Sequence, residues 1–303
     1  MPELPEVQST IDALRHAGLP GEVIAAVEVG WPRTVGGDVD TFCGAVVGRS
    51  VCEIGRRGKF IVLCLTLAPR AATTEPASPG TANFVRSPDD SPGPERGWML
   101  CHLRMSGRLH LVAADEPREG YERVVLHFAS GRELRFVDPR KFGRLLCVSD
   151  PEAALSHLGL EPLDDSFTPR KLHQALGGRR RAIKPTLLDQ GVIAGLGNIY
   201  VDEALFAARI HPLRRADSLS PDDIVALHTA IQQVLRLGLS NLGVSLGYGK
   251  SNFRLPNGAS GDNREALQVF RRTGLPCPVC GHPVERLIVA QRSTHLCPRC
   301  QPA

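Results

Sequence analysis

Four cysteines near the carboxyl end have the spacing of a metal site: Cys277-Pro-Val-Cys280, then 16 residues, then Cys297-Pro-Arg-Cys300. Two such knuckles bring four thiolates to one tetrahedral Zn²⁺ with no position left for water, so the ion is expected to hold a shape rather than do chemistry. Two disulfides, or a redox dithiol, are the alternatives that the residues alone leave open. Between the knuckles, residues 285 to 295 predict a β-hairpin presenting Arg292 near its tip. Basic residues cluster as Arg56, Arg57 and Lys59; as Arg140, Lys141 and Arg144; as Arg179, Arg180, Arg181 and Lys184; and as Arg271, Arg272 and Arg292. Such clusters suit contact with a phosphate backbone, although each by itself is equally a solvated face.

The elements that must carry these groups follow from pattern and punctuation. Leu4, Val7, Ile11 and Leu14 share one helical face, with Gly18 as a left-handed cap. Segments such as EVIAAVEV, FIVLCLTL, VVLHF and RLLCV, separated by glycine-containing turns, predict a mostly antiparallel sandwich over residues 1–148. Residues 69–97 interrupt it with Pro, Ser, Thr and Asp and are expected to be a mobile surface insertion. A helical domain is predicted over 149–262, where Ser220, Pro221, Asp222 and Asp223 supply a helix start. A glycine-rich, mobile stretch from Gly243 to Gly261 then leads to a zinc finger over 263–303. The fold class expected is α+β and multidomain.

Composition bounds the rest. With 303 residues, 36 Lys plus Arg against 32 Asp plus Glu, and a net charge of +4, any nucleic-acid footprint must be local. The aromatic share of 5% is too low for a single-strand stacking platform, which favours duplex. The start lacks the basic-then-apolar form of a secretory signal, and the longest apolar run, residues 60–68, is too short to span a bilayer. A cytoplasmic chain without a membrane role is expected, with Cys43, Cys52, Cys64, Cys101 and Cys147 as reduced core residues.

Read together and in order, MPELPEV at the start, RRGKF (56–60), HLRMSG (102–107), DPRKFG (138–143), LGLEPL (158–163), AIKPTLLDQ (182–190), GLGNIYVDEALF (195–206) and the cysteine tail resemble formamidopyrimidine-DNA glycosylase. The resemblance implies an N-terminal β-sandwich, a helix-two-turn-helix domain and a zinc finger, acting as a monomer on damaged double-stranded DNA, associated with a bacterial nucleoid through that binding. It implies removal of 8-oxoguanine and formamidopyrimidines through a Schiff base on Pro2 once Met1 is lost, followed by β,δ-elimination. By composition alone Pro2 reads rather as a helix-starting proline, a reading that the resemblance reverses.

Glu3 corresponds to the family's proton donor, with Glu6 a weaker candidate, Lys59 to the β-elimination lysine, and Arg292 to the finger arginine of δ-elimination. Met105, Arg140 and Phe142 match the trio that fills the space left by the extruded nucleotide, although residue type alone would make Met105 and Phe142 core. Arg179, Lys184, Asn198 and Tyr121 fall at DNA-contacting positions. The pattern departs at Tyr121-Glu122-Arg123-Val124, in place of His-Asp-His-Val, where Glu122 is expected to face phosphate. It departs also at Arg104 for glycine, at Phe270 for tyrosine, and in the capping loop over 243–261. An endonuclease-VIII-type enzyme for oxidised pyrimidines and a non-catalytic damage-binding paralogue are the alternatives.

Overall fold

The computed structural model describes residues 2–68, 96–245 and 253–303. The expected insertion and the centre of the glycine-rich stretch lie largely outside the described residues.

Helix α1 (Leu4–His16) opens the chain, with Gly18 at φ 74° ending it as anticipated. It joins two units, because Leu4 packs into the helical core while Val7, Ile11 and Leu14 pack into the sandwich core. Strands β1 (Ile24–Val29), β2 (Arg49–Arg57), β3 (Phe60–Leu67), β4 (Arg96–His102), β5 (Arg108–Ala113), β6 (Glu122–Phe128), β7 (Arg132–Val137) and β8 (Arg144–Val148) follow, with α2 (Val39–Val46) between β1 and β2. They form two four-stranded sheets, ordered β2-β3-β4-β8 and β1-β6-β7-β5. All pairings are antiparallel, and alternate side chains from the two sheets close one apolar core.

Helix α3 (Pro151–Ala154) follows on the surface, and helices α4 (Pro169–Leu176), α5 (Ile183–Leu187), α6 (Asn198–Ala207) and α7 (Pro221–Ser240) form the second core. Helix α7 begins where Ser220 and Pro221 predict, the serine hydroxyl accepting from Asp223 N at 3.2 Å. Strands β9 (Glu285–Val289) and β10 (Arg292–Leu296) are the finger hairpin. None of the described helices is long and apolar enough to cross a membrane.

Two expectations need correction. Cys52 is exposed rather than core: a bulge between Val51 and Glu53 turns it out of register, and it pairs with Cys64 in a disulfide, Cα atoms 5.5 Å apart. The glycine-rich stretch is pinned at its ends, where Asp262 N donates to Asn241 O at 2.9 Å and Asn263 N to Gly243 O at 3.0 Å.

Candidate active site

The chain start is buried against the turn that begins α6. Leu4 N donates to Gly195 O at 3.0 Å, and the Glu3 carboxylate accepts from Ile199 N at 2.9 Å and Tyr200 N at 3.3 Å. Helix α6 has no side-chain cap of its own, its N-cap being Gly197, so Glu3 supplies the missing acceptor from another element. This contact explains the Gly-Leu-Gly-Asn turn. A Cβ on Gly195 would lie 2.7 Å from Leu4 Cδ1, and one on Gly197 would lie 2.3 Å from Glu3 Cδ. Gln190 secures the same turn, donating to Leu196 O at 2.8 Å and accepting from Gly195 N at 3.0 Å.

Glu3 and Glu6 are both buried. Burial pushes the Glu3 pKa up to about 7, partly opposed by Lys59. Glu6 is also raised by burial, and is held by Glu3 N at 2.7 Å, Val244 N at 2.8 Å and the Tyr200 hydroxyl at 3.0 Å. That makes Glu6 a hub between the chain start, α6 and the segment after α7, a rank its residue type does not signal. Pro2, the next residue toward the terminus, is buried as well.

Lys59 stands in the two-residue turn between β2 and β3, behind Gly58 at φ 55°. It is buried, which lowers its pKa, while Glu3 and Glu6 act in the opposite sense. Its neighbours Arg56 and Arg57 do not form a free phosphate patch. Both pair with Glu161, and Arg57 also donates to Leu158 O at 2.9 Å and Gly159 O at 2.6 Å. Gly58 N donates to the same Glu161 at 2.9 Å. The LGLEPL segment therefore clamps the Lys59 turn, a role hidden in the sequence because the partners are about a hundred residues apart.

Met105, Arg140 and Phe142 are exposed, so none is core. The Arg140 guanidinium lies 5.2 Å from the Phe142 ring centroid. Asp138, which its residue type does not single out, joins their two loops: buried, it accepts from the Ser106 hydroxyl, from Arg140 N at 3.2 Å and from Gly143 N at 2.7 Å. Arg104 adopts the left-handed region at φ 54°, a conformation that glycine takes without the Cβ penalty. Glu122 is half-buried and turned back onto its own turn, accepting from Glu119 N at 2.6 Å and Gly120 N at 2.9 Å. Beside it, Arg123 lies 5.8 Å from the half-buried Tyr121 ring.

The finger hairpin turns through Ala290 and Gln291, both at positive φ, and leaves Arg292 exposed at the start of β10. Arg292 is within electrostatic reach of Lys59 and Lys184, lowering the affinity of each for its proton. Lys184 is fully buried, its ammonium on Asp202 at 2.6 Å and Ser293 O at 2.9 Å. Asn198 donates to the same Ser293 carbonyl at 2.9 Å. Arg179 is half-buried and donates to Ala175 O at 2.8 Å.

The sulfurs of Cys277, Cys280, Cys297 and Cys300 lie within 4.8 Å of one another. Ligands of one tetrahedral Zn²⁺ with bonds of about 2.3 Å stand about 3.8 Å apart, so the four thiolates fit one structural ion. The surrounding Phe206, Val269 and Val284 tie that finger to α6.

Three family models match in sequence order: the formamidopyrimidine-DNA glycosylase N-terminal domain over residues 1–145, its H2TH domain over 158–247, and a zinc finger found in FPG and IleRS over 274–303. A formamidopyrimidine-DNA glycosylase of Protochlamydia amoebophila is 40% identical over 99% of both chains. The MutM (FPG) protein of Thermus thermophilus superposes with a TM-score of 0.80 at 36% identity, covering 99% of this chain and 98% of that one. Lactococcus lactis FPG superposes with a TM-score of 0.82 at 30% identity over 100% of both chains, in a complex with a Fapy-dG containing DNA. Another complex of the Lactococcus protein, with a TM-score of 0.81 at 30% identity over 100% of both chains, holds an oxidized pyrimidine containing DNA. On this full-length correspondence of sequence, fold and finger, the chain belongs to the formamidopyrimidine-DNA glycosylase family.

Proposed function

We propose that this chain excises oxidised purines, 8-oxoguanine and formamidopyrimidines, from duplex DNA and nicks the strand by β,δ-elimination. The observation that carries the reading is the buried Glu3 carboxylate beside Pro2, with its pKa near neutrality and Lys59 within electrostatic reach. Once Met1 is removed, Pro2 is a secondary amine whose ordinary α-amino pKa of about 8 leaves part of it neutral at cellular pH. It attacks C1′, the C1′–N bond to the base breaks, Pro2 gives up its N–H proton, and opening of the C1′–O4′ bond with a proton delivered to O4′ leaves a cationic Schiff base (iminium) joining Pro2 to the sugar. Glu3, whose pKa of about 7 keeps both its acid and its base form populated at neutrality, is the acid-base partner that manages the leaving base and the opened sugar. Lys59 serves the β-elimination and Arg292 the δ-elimination, both beside the phosphates.

Met105 and Phe142 wedge the stack while Arg140 pairs with the orphaned base. Asn198, Arg179 and Tyr121 line the path of the phosphate backbone, whereas Lys184, expected there from the sequence, is buried on Asp202 and Ser293 O and does not reach it. The zinc finger holds the hairpin of Arg292 in shape. The three domains are those bounded at residues 148 and 262, working as a monomer in the cytoplasm.

A second reading, excision of oxidised pyrimidines, is favoured by the oxidized pyrimidine complex of the Lactococcus relative and by the altered capping loop. Borohydride trapping on an 8-oxoguanine–cytosine duplex, beside a thymine-glycol duplex, with intact-mass confirmation of methionine loss, separates the two. A covalent adduct on Pro2 with the purine lesion, lost in Pro2→Gly, supports the first reading. A clear thymine-glycol preference replaces it with the second, and no adduct even on an abasic duplex rejects imine chemistry.

A further inference from the structure

Helix α6 carries two adjacent buried carboxylates, Asp202 and Glu203, that the reaction outlined above does not use. Glu203 accepts from Gln268 N at 2.8 Å, Val269 N at 3.0 Å and Phe270 N at 2.8 Å, so it holds the entry strand of the finger. Asp202 does something different. One of its oxygens accepts from His295 N at 2.9 Å and lies 3.1 Å from His295 Nδ1, and the other takes the Lys184 ammonium at 2.6 Å. Lys184 and Asn198 then converge on the Ser293 carbonyl, the residue directly after Arg292.

We infer that Asp202 is a positioning residue that aims Arg292 by clamping strand β10 to helix α6. The four thiolates fold the hairpin, but they sit at its far end from Ala290 and Gln291 and leave its tip free to swing. The contacts of Asp202, Lys184 and Asn198 fix Ser293 and His295, the first and third residues after Arg292. The same helix is capped at its N-terminus by Glu3, so one rigid element sets both ends of the site: Glu3 at residues 199 and 200, and the Arg292 strand a turn later. Placement on a regular element is what holds reacting groups to sub-ångström tolerance.

The inference rests on the proposed part of Arg292 in δ-elimination. Its test is the ratio of δ- to β-elimination product on a preformed abasic duplex, measured for the zinc-loaded full chain. Asp202→Asn is expected to keep stoichiometric zinc and β-elimination within about twofold while lowering the δ to β ratio by about tenfold, the scale of a small misplacement of one reacting group. Glu203→Gln loses a buried anchor whose hydrogen bonds go to residues 268–270 and which reaches β10 only through the Phe270–His295 ring contact, and is expected to keep the ratio. If Asp202→Asn does not accumulate as folded protein, Asp202→Glu keeps Lys184 paired while pushing β10 away, and carries the same expectation. An unchanged ratio in the Asp202 variant, or an equal fall in both the Asp202 and Glu203 variants, overturns the inference. Arg292→Ala run alongside separates the two layers: if it too keeps the ratio, the proposed part of Arg292 fails.

Discussion

Replacing Gly197 with alanine tests whether catalysis depends on where Glu3 is held. The glycine has φ −135° and ψ −162°, an extended conformation open to alanine, so the substitution adds no backbone strain. What it adds is a methyl group 2.3 Å from Glu3 Cδ and 2.5 Å from Oε1, flanked by the rest of the same side chain. Carbon atoms rest at about 3.5 Å, so the carboxylate must retreat by about 1 Å. That movement breaks the 2.9 Å bond from Ile199 N and the 3.3 Å bond from Tyr200 N. Loss of the cap costs about 1 kcal/mol of stability, and a 1 Å misplacement of an acid-base group costs about 100-fold in rate. The assay is single-turnover base release from an 8-oxoguanine duplex, set against cleavage of a preformed abasic duplex by the same protein. Base release is expected to fall by about 100-fold and abasic cleavage by much less, because Glu3 is needed chiefly while the base departs. Base release within about threefold of the parent, in folded zinc-loaded protein, would refute the reasoning, as would equal loss on both substrates.

The pH dependence follows from the same group. Glu3 is protonated below about 7, so base release should decline as pH rises through that value. Lys59 lowers the Glu3 pKa, so Lys59→Met should move the decline to higher pH, and a shift to lower pH would contradict this assignment. Asp138→Ala leaves Arg140 N and Gly143 N without their buried acceptor, at a cost of about 2–3 kcal/mol; a melting temperature unchanged from the parent would count against it. The same variant should slow excision of a paired lesion by more than it slows cleavage at an abasic site. Chelating the zinc should weaken duplex affinity and abolish δ-elimination, because the binding energy of a finger is folding energy; full affinity after verified metal loss would rule this out. Finally, Thr66 pairs directly with Arg96, so replacing residues 69–95 by a short turn should leave excision kinetics intact, and a marked loss of rate would give that segment a part in the reaction.

Much of the architecture is written locally. The apolar stripe of α1, the alternation in β1 and β6, the Ser220 start of α7 and the paired Cys-x-x-Cys knuckles depend on neighbours a few residues apart. Periodicity and capping chemistry therefore report them directly. The hairpin that displays Arg292 is likewise legible through its own pattern, while Pro2, Glu3 and Lys59 are singled out by the resemblance alone.

Tertiary structure decided what those residues do to one another. Basic clusters look alike in sequence, yet Arg56 and Arg57 are spent on Glu161 while Arg140 stays exposed. Lys184 reads as a surface cation and is buried on Asp202, and Glu122 reads as facing a phosphate and caps its own turn. Met105 and Phe142 have the residue type of a core and project outward, on two loops that the buried Asp138 joins from beneath. Each case turns on one fact, that a charge or a glycine takes its role from the partner placed against it. For Glu3, that partner is the start of a helix almost two hundred residues away, and only folding brings the two together.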